Sequence, residues 1–237
     1  KSSEHPNDNA VHLLRQMNHD MRNPLNALMA TVTMLQDGMY DPLTAKQVRA
    51  VQRVERNGKR ILALLDAFVT YMKADAGQYP VNAVDFEPRS LIAGVLAECQ
   101  LTAQEKGLGM KSVITDSVPQ SLHGDKELIQ RIIQELAWNA ISFSSAGTVE
   151  LTSTWANDWQ LAIKDSGPGI PAPIAPHVYE PFWKGETPGT TVPTSGSGLG
   201  LTVAHSLAKL MGGTITLKDT SAQGTEFVLT IPLPRTG

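Results

Sequence analysis

The pattern that leaves this chain least freedom is the apolar run Val51, Val54, Gly58, Ile61, Leu65, Phe68 and Met72, which alternates in steps of three and four over three heptads. A stripe of that period is the apolar face of a helix, and a seam this strict wants a helical partner. Upstream, Leu14, Met17, Met21, Leu25, Leu28, Val32 and Leu35 repeat the pattern. A first helix is therefore expected over 10–36, stopped by Asp37-Gly38 and a turn through Asp41-Pro42, and Thr44 caps a second over 45–76. Two helices joined by a short turn make a hairpin. One hairpin leaves much apolar surface in water, and two paired as a four-helix bundle cover it. The expectation is a homodimer in which Gly58 marks a close helix approach; the alternative is a monomeric hairpin packed on the rest of the chain.

The first helix carries Met17-Asn18-His19-Asp20-Met21-Arg22-Asn23-Pro24-Leu25. At roughly 100° per residue, His19 lies about 200° from Met17, turned away from the seam. Asn23 shares its face one turn later, and Asp20 is its neighbour. Pro24 removes the donor to the carbonyl of Asp20 and crowds it, so a bend is expected below the histidine. By itself, a histidine on a helix surface is usually only solvated.

Residues 1–9 are polar and read as a frayed lead-in. Gly77-Gln78-Tyr79-Pro80 ends the helical pattern, which makes 77–82 a linker between a helical domain, 10–76, and a second domain, 83–237. There the periodicity turns mixed. Strands are expected at 84–86, 110–115, 148–155, 160–164, 214–218 and 226–231, with helices at 88–106, 125–143 and 197–211. Helices on one face of a mostly antiparallel sheet make an α/β sandwich. The chain is thus multi-domain, an all-α hairpin followed by an α/β layer. A net charge of -3 offers no basic excess for nucleic acid. The single Cys99 excludes an internal disulfide framework and suggests a reducing compartment, and no apolar run reaches the roughly 18 residues of a membrane span. The expectation is a cytoplasmic piece of a longer protein, since it begins at Lys1, with any sensor or membrane anchor upstream.

Three clusters in the second domain bear chemistry. Glu135 and Asn139, one turn apart, offer a carboxylate and a carboxamide to a hydrated magnesium ion, although a pair at that spacing is more often a solvated face. Asp165-Ser166-Gly167-Pro168-Gly169-Ile170 follows a strand; its carboxylate can accept from an exocyclic amine, and its glycines admit a flat ligand, or it is a plain turn. Gly196-Ser197-Gly198-Leu199-Gly200-Leu201 opens a helix whose free N–H groups form an anion site. No Gly-Lys-Ser/Thr follows, so it is not a Walker A motif, and no strand precedes it as in a dinucleotide fingerprint.

Their order, with Glu180-Pro181-Phe182-Trp183 between the second and third, resembles the sensor histidine kinases of two-component systems over about residues 10–234. The resemblance implies a dimerisation and phosphoacceptor domain joined to a Bergerat-type ATP-binding fold, with ATP and Mg2+ as cofactors and a response regulator as partner. By resemblance, His19 is phosphorylated, Asp20 manages the proton on the other ring nitrogen, and Asn23 orients water for dephosphorylation of the regulator. Asn139 holds magnesium, and Asp165 accepts from the adenine amino group. Gly167 and Gly169 leave room for the base, Gly196, Ser197, Gly198, Leu199 and Gly200 shape the phosphate-side loop, and Phe182 also belongs to the nucleotide site. Residues 184–195 form a lid.

Four positions depart from the family pattern. Asp20 replaces the commoner glutamate, and Asn23 the commoner threonine. Glu135 stands for a first asparagine and could serve the ion or position a water. Ser142 replaces a basic residue that covers phosphate charge, a deficit that Lys184 or another lid-side cation is expected to offset. The alternatives are a signalling module with a degenerate nucleotide site, acting by partner binding, and a related ATPase of the chaperone or mismatch-repair type.

Overall fold

The computed structural model describes residues 6–183 and 197–236, with side chains from residue 16. The chain divides into two units, Lys1–Ala76 and Gly77–Gly237.

The first unit is a hairpin of α1 (Pro6–Gln36) and α2 (Ala45–Asp75). α1 begins at Pro6, four residues before the expected start, because proline at a helix's first turn lacks only a donor that would be orphaned anyway. It continues through Pro24 without leaving the helical state. Gly38, at φ 72°, ends it in the left-handed conformation that suits glycine. α2 starts in a reciprocal cap: Thr44 Oγ1 accepts from the Gln47 N–H, and Gln47 Oε1 accepts from the Thr44 N–H at 2.8 Å.

Each apolar stripe divides between two faces. Val32 is buried and Leu25 and Leu35 are half-buried, whereas Met17, Met21 and Leu28 are exposed. On α2, Gly58 is buried and Val51 and Leu65 are half-buried, but Val54 and Ile61 are exposed. At Gly58 the α1 side chains press against α2: a Cβ there would lie 2.4 Å from Met29 Sδ. Polar pairs flank this seam, Gln36 donating to Glu55 at 2.7 Å and Arg22 pairing with Asp66.

The second unit layers three helices, α3 (Pro88–Glu105), α4 (Lys126–Phe143) and α5 (Gly200–Leu210), on a five-stranded sheet. Its strands are β2 (Gly109–Ile114), β4 (Thr148–Trp155), β5 (Trp159–Lys164), β6 (Thr214–Ser221) and β7 (Gly224–Ile231), in the order β2-β4-β5-β7-β6. β2 and β4 are parallel and the other pairs antiparallel. Alternate residues Val149, Leu151, Leu161, Ile163, Leu229 and Ile231 are buried, as are Ile132, Ile133, Leu136, Val203 and Leu207 on the helices. This is the expected α/β sandwich.

A small antiparallel pair lies apart: β1 (Val84–Phe86) against β3 (Leu122–Gly124). The sequence reading did not anticipate β3, whose three residues are too few to show alternation. Asp125 secures this end of the unit. One oxygen accepts from Leu128 N–H at 3.0 Å as the N-cap of α4, and the other accepts from Asn82 N–H at 2.7 Å. No helix among the described residues is long and apolar enough to cross a membrane.

Candidate functional site

In the second unit, α4, the turn after β5 and the start of α5 converge. Asp165, buried at 7% exposure, directly follows β5, and its N–H still donates to the Thr225 carbonyl of β7 at 2.9 Å. Its Oδ1 accepts from Gly167 N–H at 2.7 Å and from Thr225 N–H at 3.0 Å. Among the described residues both donors fall on one oxygen, so Oδ2 has lone pairs to offer a ligand. Burial pushes the Asp165 carboxyl above the usual aspartate range, and the two N–H groups oppose that shift. Ser166 fastens the next residue: its hydroxyl accepts from Thr148 N–H and donates to Thr148 C=O, while its own N–H donates to Ser144 Oγ at 3.2 Å.

The glycines of this turn lie close against protein backbone. At Gly169, φ is 77° and a Cβ would lie 2.0 Å from the Ser221 carbonyl oxygen. At Gly167, a Cβ would meet the Phe143 carbonyl oxygen at 2.9 Å. Both let the turn lie against protein backbone, which fixes the Asp165 carboxylate.

Glu135 and Asn139 share one face of α4, both half-buried. A Cβ on Gly200 would lie 2.7 Å from Glu135 Oε2, so the carboxylate lies directly beside the first residue of α5. Burial raises the Glu135 carboxyl, and Arg131, one turn earlier, opposes the rise. α5 begins at Gly200 rather than Ser197, because Gly198 is left-handed at φ 71° and Ser197 Oγ accepts from Leu199 N–H at 3.1 Å. Phe182, exposed, is the one non-glycine residue with positive φ among the described residues, at 62°, and its N–H donates to Gly198 C=O at 2.9 Å. That conformation costs roughly 1–2 kcal/mol for a residue with a side chain and is held here by the bond to Gly198. Gly196, Lys184 and the lid at 184–195 lie outside the described residues.

His19, Asp20 and Asn23 form a second cluster, on α1. The His19 side chain is 74% exposed, with Nδ1 3.2 Å from Asp20 Oδ1 and 3.5 Å from Asn23 Nδ2. Helical spacing predicts this grouping. Thr225, Ser144, Ser166 and Ser221 were not foreseen: Thr225 lies 60 residues from Asp165, and no local pattern marks such a pair.

The phospho-acceptor family His Kinase A matches residues 11–77, and the family of histidine kinase-, DNA gyrase B- and HSP90-like ATPases matches residues 124–235. The sensor protein TorS of Escherichia coli (strain K12) is 31% identical over 93% of this chain and 24% of its own length. The sensory/regulatory protein RpfC of Xanthomonas campestris pv. campestris is 26% identical over 98% of the chain and 32% of its own length. The chain thus spans about a quarter to a third of these relatives. Among solved structures, full-length ShkA in complex with AMPPNP has a TM-score of 0.83 at 24% identity, covering 95% of this chain and 46% of that one. The Acinetobacter baumannii histidine kinase AdeS has a TM-score of 0.64 at 23% identity, covering 90% and 96%.

Proposed function

Because this chain belongs to the sensor histidine kinases of two-component systems, we propose that it binds ATP, autophosphorylates His19 and passes the phosphoryl group to an aspartate of a response regulator. The observation that carries this reading is the His19 ring beside Asp20. One ring nitrogen does not both donate to Asp20 and accept from Asn23; the shorter contact, to a carboxylate, keeps the proton on Nδ1. Nε2 then holds the lone pair on an exposed ring and is the nucleophile. It bonds to the γ-phosphorus of ATP, the bond from that phosphorus to the β–γ bridging oxygen breaks, and ADP leaves with the electron pair. Asp20 stabilises the positive charge that develops on the ring. Asn23, on the same face, is placed to orient water for hydrolysis of the regulator's acyl phosphate.

In the nucleotide site, Asp165 Oδ2 accepts from the adenine amino group, and Gly198 to Gly200 with the α5 N-terminus take phosphate oxygens. The donors fit magnesium: Glu135 and Asn139 offer two oxygens, and the described residues contain no cluster of three or more acidic, histidine or cysteine side chains that would cage a different ion. Bound magnesium supplies neutralisation of the β- and γ-phosphate charge. The pinned Asp165 argues against a degenerate nucleotide site. On the hairpin, exposed Met17, Met21, Leu28, Val54 and Ile61 support pairing with a second copy.

Incubation of the full chain with γ-labelled ATP and magnesium tests the reading. Acid-labile, base-stable label is expected, and it disappears in His19→Ala. Label that persists in that variant would overturn the assignment.

A further inference from the structure

Family members usually carry a basic side chain at the position of Ser142, yet a cation does reach the end of α4, from another helix. Lys106, the residue that ends α3, donates from Nζ to the carbonyls of Ile141 at 2.7 Å, Ser142 at 3.0 Å and Ser144 at 3.4 Å. An ammonium has three protons, and the last carbonyls of a helix have no intrahelical donor, so the match satisfies both. The positive charge also has the favoured sign at the negative end of the α4 dipole.

What rests on this helix end is the Asp165 turn. Ser144, 1% exposed, accepts from Ser166 N–H through Oγ at 3.2 Å, and the Phe143 carbonyl oxygen lies 2.9 Å from the place a Cβ on Gly167 would take. Residues 143 and 144 therefore support the backbone on both sides of Ser166, and the direction of Asp165 Oδ2 follows from that backbone. We propose that Lys106 is a positioning residue for adenine recognition, acting through the end of α4 and Ser144 on the turn that aims Asp165. The inference rests on the reading of Asp165 as the acceptor for the adenine amino group. Lys106 itself touches no nucleotide in this account.

The test compares the affinity of the full chain for ATP with that for inosine triphosphate, which bears a carbonyl oxygen where adenine has its amino group. The wild type is expected to prefer ATP by at least ~10-fold, the scale of one hydrogen bond to a charged group. Lys106→Met keeps the stem and loses the donors, and its preference is expected to fall at least ~3-fold below the wild type on the same scale, with Lys106→Arg retaining most of it. Ser144→Ala leaves the Lys106 cap in place and breaks the link to Ser166, so it carries the test even where Lys106→Met folds poorly. Lys111→Met, which loses a partly exposed ion pair between the sheet edge strand β2 and Glu150, serves as a control with an unchanged ratio. A wild-type ratio in both Lys106→Met and Ser144→Ala would overturn the proposal and leave Lys106 as a helix cap alone. A wild type with no preference for ATP over inosine triphosphate would instead refute the Asp165 reading on which the proposal stands.

Discussion

Replacing Asp165 with asparagine separates binding from folding. Oδ1 accepts two backbone N–H groups, from Gly167 and Thr225, and an asparagine carbonyl oxygen can do the same. The amide NH2 then takes the place of Oδ2 and points a donor at the adenine amino group, itself a donor. A hydrogen bond to a charged group contributes about 1.5–3 kcal/mol, so ATP affinity should fall by roughly 10- to 150-fold. Stability should not fall in parallel. Burial already disfavours the charged form of Asp165, and a neutral amide is spared that desolvation. Calorimetric titration with ATP and thermal unfolding of the same sample measure both quantities. A variant that binds ATP within twofold of the wild type would refute the argument; so would one whose binding loss is matched by a collapse of the unfolding temperature, since the carboxylate would then be a structural element.

Acidification of the wild type should act in opposite directions on the same unit. Asp165 and Glu135 are both raised by burial, so they bind protons more readily folded than unfolded, and their contribution to stability is present at low pH and lost as pH rises through their folded values. ATP affinity moves the other way, because protonated Asp165 no longer accepts from the amino group; titrations across pH should show the decline beginning above the ~4 of an ordinary aspartate. Gly169→Ala forces a Cβ to within 2.0 Å of the Ser221 carbonyl at a φ of 77°, which should cost about 2 kcal/mol or more and lower Tm by roughly 4–8 °C; a shift under one degree by calorimetry would contradict it. Asp20→Ala should slow labelling of His19 by about 10²-fold or more with ATP affinity unchanged, and an unchanged rate would remove Asp20 from the mechanism. Cys99 is fully buried with its thiol pushed up to about 11, so iodoacetamide at pH 8 should modify the unfolded chain and leave the native one unmodified.

The elements that were legible in sequence are those whose signal is local. The three-four alternation about Gly58 and Thr44 as its cap announce α2, and the spacing of His19 and Asn23 announces one helical face. What was not legible depends on partners distant in the chain. Each hairpin stripe reads as one seam, and only packing divides it, burying Val32 and half-burying Leu25 while Met21 and Leu28 stay exposed. The glycines at 167 and 169 mark a turn in the sequence, but the reason no side chain fits lies with Phe143 and Ser221. Likewise, Lys106 reads as the polar end of a helix until its three carbonyl partners, 35 to 38 residues onward, are in view. Backbone carbonyls carry no residue identity, so a site built from them leaves no trace in a sequence pattern.

In the proposed mechanism Asp20 holds the Nδ1 proton of His19 and Nε2 takes the phosphorus. Nitrogen–phosphorus coupling in the NMR spectrum of 15N-histidine-labelled protein, recorded after incubation with ATP and magnesium, reads directly which ring nitrogen is bonded. Phosphorus on Nε2 of His19, with Nδ1 protonated, is the predicted result. Phosphorus on Nδ1, or on another residue, would contradict the mechanism.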